Sequence, residues 1–98
     1  MAIWNALKRE LDRAGQAAQG ALDEGRLRLE AHRAKQRADE AATSLGFAVY
    51  RARVEGRELE PERYTVLAQN IASAEAEQTR LEAEIALAAA RRRESGAT

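Results

Sequence analysis

The chain has 98 residues, a third of them charged and only 4% aromatic, and its 16 basic and 16 acidic residues cancel. Zero net charge argues against a dedicated nucleic-acid-binding protein. The absence of cysteine excludes disulfides and thiolate metal sites, and no apolar run approaches the ~20 residues of a membrane span. A composition rich in alanine, glutamate and arginine is typical of long helices and coiled coils, so we expect one small all-α domain.

The first segment, "MAIWNALKRELDRAG", is amphipathic. Its large apolar residues fall within roughly a 100° arc of a helical wheel; they are Ile3, Trp4, Leu7 and Leu11, which we call the leader face. A leading tryptophan and nearby cations suit a helix that lies in a membrane interface. The alternative is that this face packs against another helix, from this chain or from another subunit.

Three glycines follow the amphipathic segment, at Gly15, Gly20 and Gly25. Each costs ~1 kcal/mol inside a helix relative to alanine, and the heptad phase changes in the same region. We therefore predict that residues 1–22 form an amphipathic helix with a hinge or kink between Gly15 and Gly25. A continuous helix is the alternative.

A heptad stripe then runs along the rest of the first helix, through Leu27, Ala31, Ala34, Ala38, Ala41, Leu45, Ala48 and Ala52. Gly56 suits the left-handed residue that closes a helix, and Pro61 suits the first position of the next. These signals predict a helix end near Glu55 and a loop at about residues 56–60.

The second helix carries a matching stripe, through Tyr64, Leu67, Ile71, Ala74, Gln78, Leu81, Ile85 and Ala88. Two heptad helices joined by a short loop should fold back antiparallel. We predict a hairpin over residues 23–93 and a flexible tail over 94–98. In this register residue i lies level with about residue 117 − i, which brings Asp23 and Glu24 near Arg91–Arg93, and Arg33–Arg37 near Glu82 and Glu84.

The register places an alanine-rich seam of the first helix against large residues of the second, such as Leu81 and Ile85. A large residue against a small one lets helices approach closely. The alternative is that alanine is present only because it is the best helix former.

Three apolar residues near the hairpin tip, Phe47, Tyr50 and Val54, lie on nearly the opposite side of the first helix from this seam. We call them the tip stripe. A two-helix hairpin buries one stripe per helix, so an outer aromatic stripe predicts another partner. Because thin hairpins are hard to stabilise alone, we expect that partner to be a second copy of the chain.

No residue pattern indicates catalysis, a cofactor or a metal site. His32 is the only histidine and lies off the heptad stripe, where a solvated position is expected. No nucleophile–base pair or glycine-rich phosphate loop is present. We therefore do not expect an enzyme or a small-molecule substrate.

An amphipathic leader joined to a charged helical hairpin resembles the start of phage shock protein A and other ESCRT-III-like membrane-remodelling proteins. The leader face stands where the apolar face of their leader would be. This resemblance implies polymerisation through hairpins and insertion of the leader into a membrane surface. The chain departs from the family because it lacks further C-terminal helices. The segment "SLGFAVYRARVEG" is also similar to short uncharacterised bacterial coiled-coil proteins.

The sequence thus predicts a bacterial helical-hairpin scaffold that self-assembles as a filament or ring. We expect it in the cytoplasm, with peripheral contact to an anionic membrane at the inner face of the cell membrane through the leader face. The alternative function is that of a small coiled-coil adaptor subunit that docks on a larger protein.

Overall fold

The computed structural model describes residues 2–96, which form two helices and no strand. Helix α1 spans Ala2–Val54 and helix α2 spans Pro61–Gly96. They pack side by side into a rod of 82 × 17 × 17 Å. The predicted all-α fold, an antiparallel helical hairpin that follows an amphipathic N-terminal segment, is confirmed.

Helix α1 runs without interruption through Gly15, Gly20 and Gly25. The structure therefore contains the continuous helix rather than a break between its first 22 residues and the hairpin. The physical reason is that glycine, unlike proline, keeps its backbone N–H and removes no helical hydrogen bond. Its propensity cost is spread over an 11-residue stretch in which alanine and glutamine favour the helix.

The turn between the helices has the geometry of a Schellman motif. Gly56 has a φ of +74°, a conformation that costs a residue with a Cβ ~1–2 kcal/mol. The Gly56 N–H donates to the carbonyl of Arg53 at 3.0 Å, and the Arg57 N–H donates to the carbonyl of Ala52 at 2.9 Å. These two bonds satisfy carbonyls that the end of α1 would otherwise leave free, so the predicted role of Gly56 is confirmed.

Helix α2 begins at Pro61, as predicted, and its first backbone bond runs from the Tyr64 N–H to the Glu60 carbonyl at 2.9 Å. Glu62 lies in the first turn, where its charge complements the helix dipole. At the other end α2 continues to Gly96, so residues 94–96 of the predicted tail belong to the helix. Arginines 91–93 near the C-terminus favour this last turn through the dipole. Residues 97 and 98 lie outside the described part of the chain.

The core is a single seam between the helices. Leu81 is only 1% exposed and packs with Ala31 and Ala34, and Leu27 and Ile85 flank this cluster. Ala38, Ala52 and Ala74 are also buried. The small residues of α1 thus lie under the large residues of α2, as the heptad pattern predicts. Tyr64 departs from the prediction, because it is half exposed beside the turn.

The register agrees with the prediction to within about one residue, since Glu24 of α1 contacts Arg92 of α2. The predicted pairing of Arg33–Arg37 with Glu82 and Glu84 is not formed as direct ion pairs among residues 2–96. Lys35 instead pairs with Asp39, and Glu84 pairs with Arg80, each four residues away on its own helix. Neighbours at i,i+4 need less ordering of long side chains than partners across the seam do.

Candidate interaction surfaces

The N-terminal part of α1 extends beyond the end of α2. Helix α1 has 53 residues against 36 in α2, which leaves about 25 Å of single helix at 1.5 Å per residue. We call residues 2 to about 20 the overhang. Every residue in it is exposed, so this stretch of helix buries no side chain within the single chain.

The leader face lies on this overhang and is open to solvent. Ile3 is 86% exposed and Trp4 68%, and Leu7 and Leu11 are also exposed. At about 100° per residue, the leader face points roughly 150° away from Glu24 and Gly20, which face α2. It is therefore not a continuation of the hairpin seam, and a longer α2 in the same register would not cover it.

The tip stripe is likewise exposed, with Tyr50 at 65% and Val54 at 68%. The guanidinium of Arg51 lies 5.7 Å from the centroid of the Phe47 ring, within the range of a cation–π contact. Phe47 and Tyr50, with Thr43 and Gly46, border a shallow apolar hollow. Gly46 keeps this hollow open, since a Cβ there would meet no other part of the described chain.

The leader face and the tip stripe share one side of α1. At about 100° per residue their mean directions on the helical wheel agree to within roughly 10°, and both point away from α2. Trp4 and Phe47 are about 65 Å apart along the helix. The rod therefore presents two apolar surfaces on one side, one near each end.

A buried carboxylate marks the base of the hairpin, where α2 ends. Glu24 is 5% exposed. It accepts a hydrogen bond from Arg28 at 3.0 Å, and its second oxygen lies 2.8 Å from Arg92 Nη1. A buried charge with two cationic partners has its desolvation offset, so this clasp ties the end of α2 to α1. The sequence indicated that charges of opposite sign meet here. Only the packing of the two helices decides that Glu24 rather than Asp23 is buried.

A groove of about 820 Å³ opens beside this clasp, between the overhang and the last turns of α2. Ala17, Ala21, Leu27 and Leu87 supply apolar parts of its wall, and arginines and acids of both helices border it. The sequence analysis missed this groove, because it exists only where one helix stops and the other continues.

A charged cluster lies at the edge of the seam in the middle of the hairpin, where Glu77 and Glu84 are part-buried. Arg80 contacts Glu77 at 2.5 Å and Glu84 at 2.6 Å. The hydrogen bond from Arg80 lowers the pKa of Glu77 from its usual value. Desolvation raises this pKa but is a smaller effect, and the positive charges of Arg80 and Arg37 lower it further. The same hydrogen bond raises the pKa of Arg80. Arg37 belongs to α1, so its influence on Glu77 acts across the seam.

The remaining polar candidates have ordinary surroundings. His32 is exposed. Gln78 is half-buried and donates to Glu82 of its own helix at 2.9 Å, so it lies at the edge of the seam. Within residues 2–96, no group of three or more histidine or acidic side chains is arranged to hold a metal ion. No helix of that part of the chain has the length and hydrophobicity to cross a membrane.

Comparisons with protein-family models, with curated proteins and with solved structures find no match to this chain.

Proposed function

We propose that this chain is a structural scaffold protein that self-assembles through exposed apolar surfaces of its helical hairpin. The observation that carries the proposal is the pair of surfaces on one side of α1, the leader face and the tip stripe, which the hairpin leaves without an intramolecular partner. Apolar surfaces of this kind mark interaction sites in soluble proteins. Two such surfaces at opposite ends of a rod allow each copy to contact two neighbours, which is the requirement for a filament or ring.

The thin core supports the same proposal. Leu81 is the one large side chain among residues 2–96 that is fully buried, so a single hairpin buries little apolar surface. Burial against other copies would add the stabilisation that the seam does not supply. A polymer of this layout resembles ESCRT-III-like assemblies, and that likeness is part of the proposal.

Light scattering at tens of micromolar tests assembly. The wild type is expected to exceed the 10.8 kDa of one chain, and Phe47→Glu is expected to reduce the mass by placing a charge in the tip contact. Val66→Glu is the matched control, because Val66 is equally exposed on α2 but lies outside both surfaces. A strict monomer would contradict the proposal, and electron microscopy would distinguish filaments from rings.

We further propose that the leader face can bind an anionic membrane surface, with Trp4 at the headgroup level. The support is an exposed Ile3 and Trp4 at the very start of a helix that also carries Lys8 and Arg9. Co-sedimentation with liposomes of phosphatidylglycerol is expected to be lost in Trp4→Glu and retained in Tyr64→Glu. Binding by neither the wild type nor the control would remove the membrane part of the proposal.

The alternative function is an adaptor that docks on a larger protein. The hollow beside Phe47 and Tyr50 favours it, because such a hollow can accept one side chain of a partner. An adaptor would be a monomer or dimer alone and would protect the tip stripe only within the complex. The mass measured by light scattering separates it from the scaffold.

A further inference from the structure

We infer that the overhang pairs with the overhang of a second copy of this chain, antiparallel, about a two-fold axis between Leu11 and Ala14. This inference rests on the proposed self-assembly and names the partner of one of its two surfaces. It commits the leader face to a protein contact in solution.

The size of the apolar residues changes along the overhang. Large side chains occupy its first half and alanines continue the same three-and-four spacing through its second half. An antiparallel second copy therefore sets large against small at the three central levels of the stripe, and residue i lies opposite residue 25 − i. The facing pairs are Trp4 with Ala21, Leu7 with Ala18, and Leu11 with Ala14.

The hairpin seam uses the same rule within one chain, since Leu81 packs on Ala31 and Ala34. A parallel pairing would set Trp4 against Trp4 and Ala18 against Ala18. The large residues would then clash at the Trp4 end, and the alanines would leave a gap at the Ala18 end, so packing would be poor at both ends. The antiparallel arrangement is thus the one that the side-chain volumes fit.

The surface is sterically open. Arg13, Gln16 and Gly20 line the groove on the side of α2, whereas Ala14 and Ala18 do not. Ala21 lies at the border between the groove and the leader-face stripe, because it lines the groove as well. A second helix can therefore lie along the stripe as far as Ala18 without displacing the end of α2, and it meets the edge of the groove at Ala21. In that position Ile3 of each copy comes level with Leu22 of the other, which is 69% exposed in the single chain.

The contact area agrees with a weak, specific contact. Asp12 and Arg13 flank the contact on opposite sides of each helix, about 130° from its centre, where their charges stay in solvent. Two paired overhangs about 25 Å long would bury on the order of 1,000 Å² in total, near the lower limit of specific interfaces. Assembly is therefore expected at tens of micromolar rather than at nanomolar concentration.

Disulfide cross-linking tests the register directly, because the chain contains no cysteine. Leu7→Cys and Ala18→Cys are made as separate variants of the full chain, mixed at tens of micromolar and oxidised. The mixture is expected to cross-link on the order of tenfold faster than either variant alone, since paired thiols meet an effective concentration in the millimolar range. The matched control is a mixture of Arg9→Cys and Gln16→Cys, which lie level in the same register but on the opposite side of the helix.

The outcomes separate this inference from the proposed function. Rapid cross-linking of each variant alone would indicate parallel pairing and overturn the register. If light scattering shows that the wild type assembles but the mixture of Leu7→Cys and Ala18→Cys does not cross-link, the inference is overturned and the scaffold proposal stands. A monomer by light scattering would overturn both. A blue shift of Trp4 fluorescence only with phosphatidylglycerol vesicles, and no cross-linking without them, would assign the leader face to lipid and overturn the inference.

Discussion

The two halves of α1 form a contrast within one continuous helix. In the hairpin half, alanines occupy the inner stripe and large residues of α2 cover them. In the overhang half, large residues occupy the stripe, and no residue between positions 2 and 96 covers them. The same helical spacing thus serves an internal contact in one half and an unpartnered surface in the other.

The two halves show that apolar periodicity alone does not distinguish a stripe buried in the core from a stripe exposed as an interaction surface. Ala34 is fully buried although it is small, and Trp4 is 68% exposed although it is large. What decides burial is the presence of α2, which ends level with about residue 20 of α1. The predictions below test this contrast in order of decreasing effect.

Removal of a seam side chain should have the largest effect on stability. Leu81→Ala is expected to lower the free energy of unfolding by ~3 kcal/mol, because it removes buried methylenes and leaves a cavity. Leu11→Ala should change it by less than ~0.5 kcal/mol in the single chain, because Leu11 is already exposed. Urea unfolding at low micromolar chain concentration measures both. A Leu81→Ala effect no larger than that of Leu11→Ala would break the contrast between the halves, and Leu81→Met controls for side-chain volume.

Neutralising the clasp should weaken the boundary between the halves. Glu24→Gln is expected to cost about 1 kcal/mol, a moderate value because Arg28 and Arg92 are largely exposed and can regain water. Asp23→Asn is the control for a neighbouring carboxylate outside the clasp. Thermal unfolding at low and high salt measures the effect, which should shrink as salt screens the charges. Equal effects of the two substitutions would argue against a special role of the buried carboxylate.

Glycine-to-alanine substitutions should have opposite signs in the two regions. Gly20→Ala is expected to stabilise α1 by ~0.5–1 kcal/mol, because the site is helical and its Cβ would meet open space. Gly56→Ala should destabilise the hairpin by about 1 kcal/mol, because its φ of +74° disfavours a Cβ. Circular dichroism melts report both changes. A destabilising Gly20→Ala would contradict the assignment of Gly20 to a regular helical site with open space around it.

The smallest expected effect is a pH dependence from Glu77. Its pKa is lower in the folded chain than in the unfolded one, so its ionised form stabilises the fold above the unfolded pKa of about 4.3. This contribution is lost as the pH falls through the folded pKa. The difference in melting temperature between wild type and Glu77→Gln should therefore disappear in acid. Glu10→Gln, in the overhang, is the matched control, and a difference that persists unchanged in acid would contradict the assignment.

Local rules within the sequence determined most of the hairpin. Gly56 and Pro61 set the end of one helix and the start of the next, because a positive φ and a missing N–H are properties of single residues. The heptad stripes determined which faces meet, and Leu81 and Ala34 lie where the period of 3.5 residues predicts. The exposed tip stripe also followed from this pattern, since a two-helix hairpin has no second seam to bury it.

Tertiary structure decided the features that depend on competing partners. Lys35 had candidate acids on both helices, and the side-chain entropy of reaching across the seam favoured Asp39 on its own helix. The segment from Gly15 to Gly25 was compatible with either a hinge or a continuous helix. It is helical because every glycine in it keeps its backbone N–H for the helical hydrogen bonds. Glu24 became buried because α2 still covers α1 at that level, and the groove beside it exists because α2 ends about one turn further on. Each of these outcomes depends on where a second helix lies relative to the first, which no local pattern of residues contains.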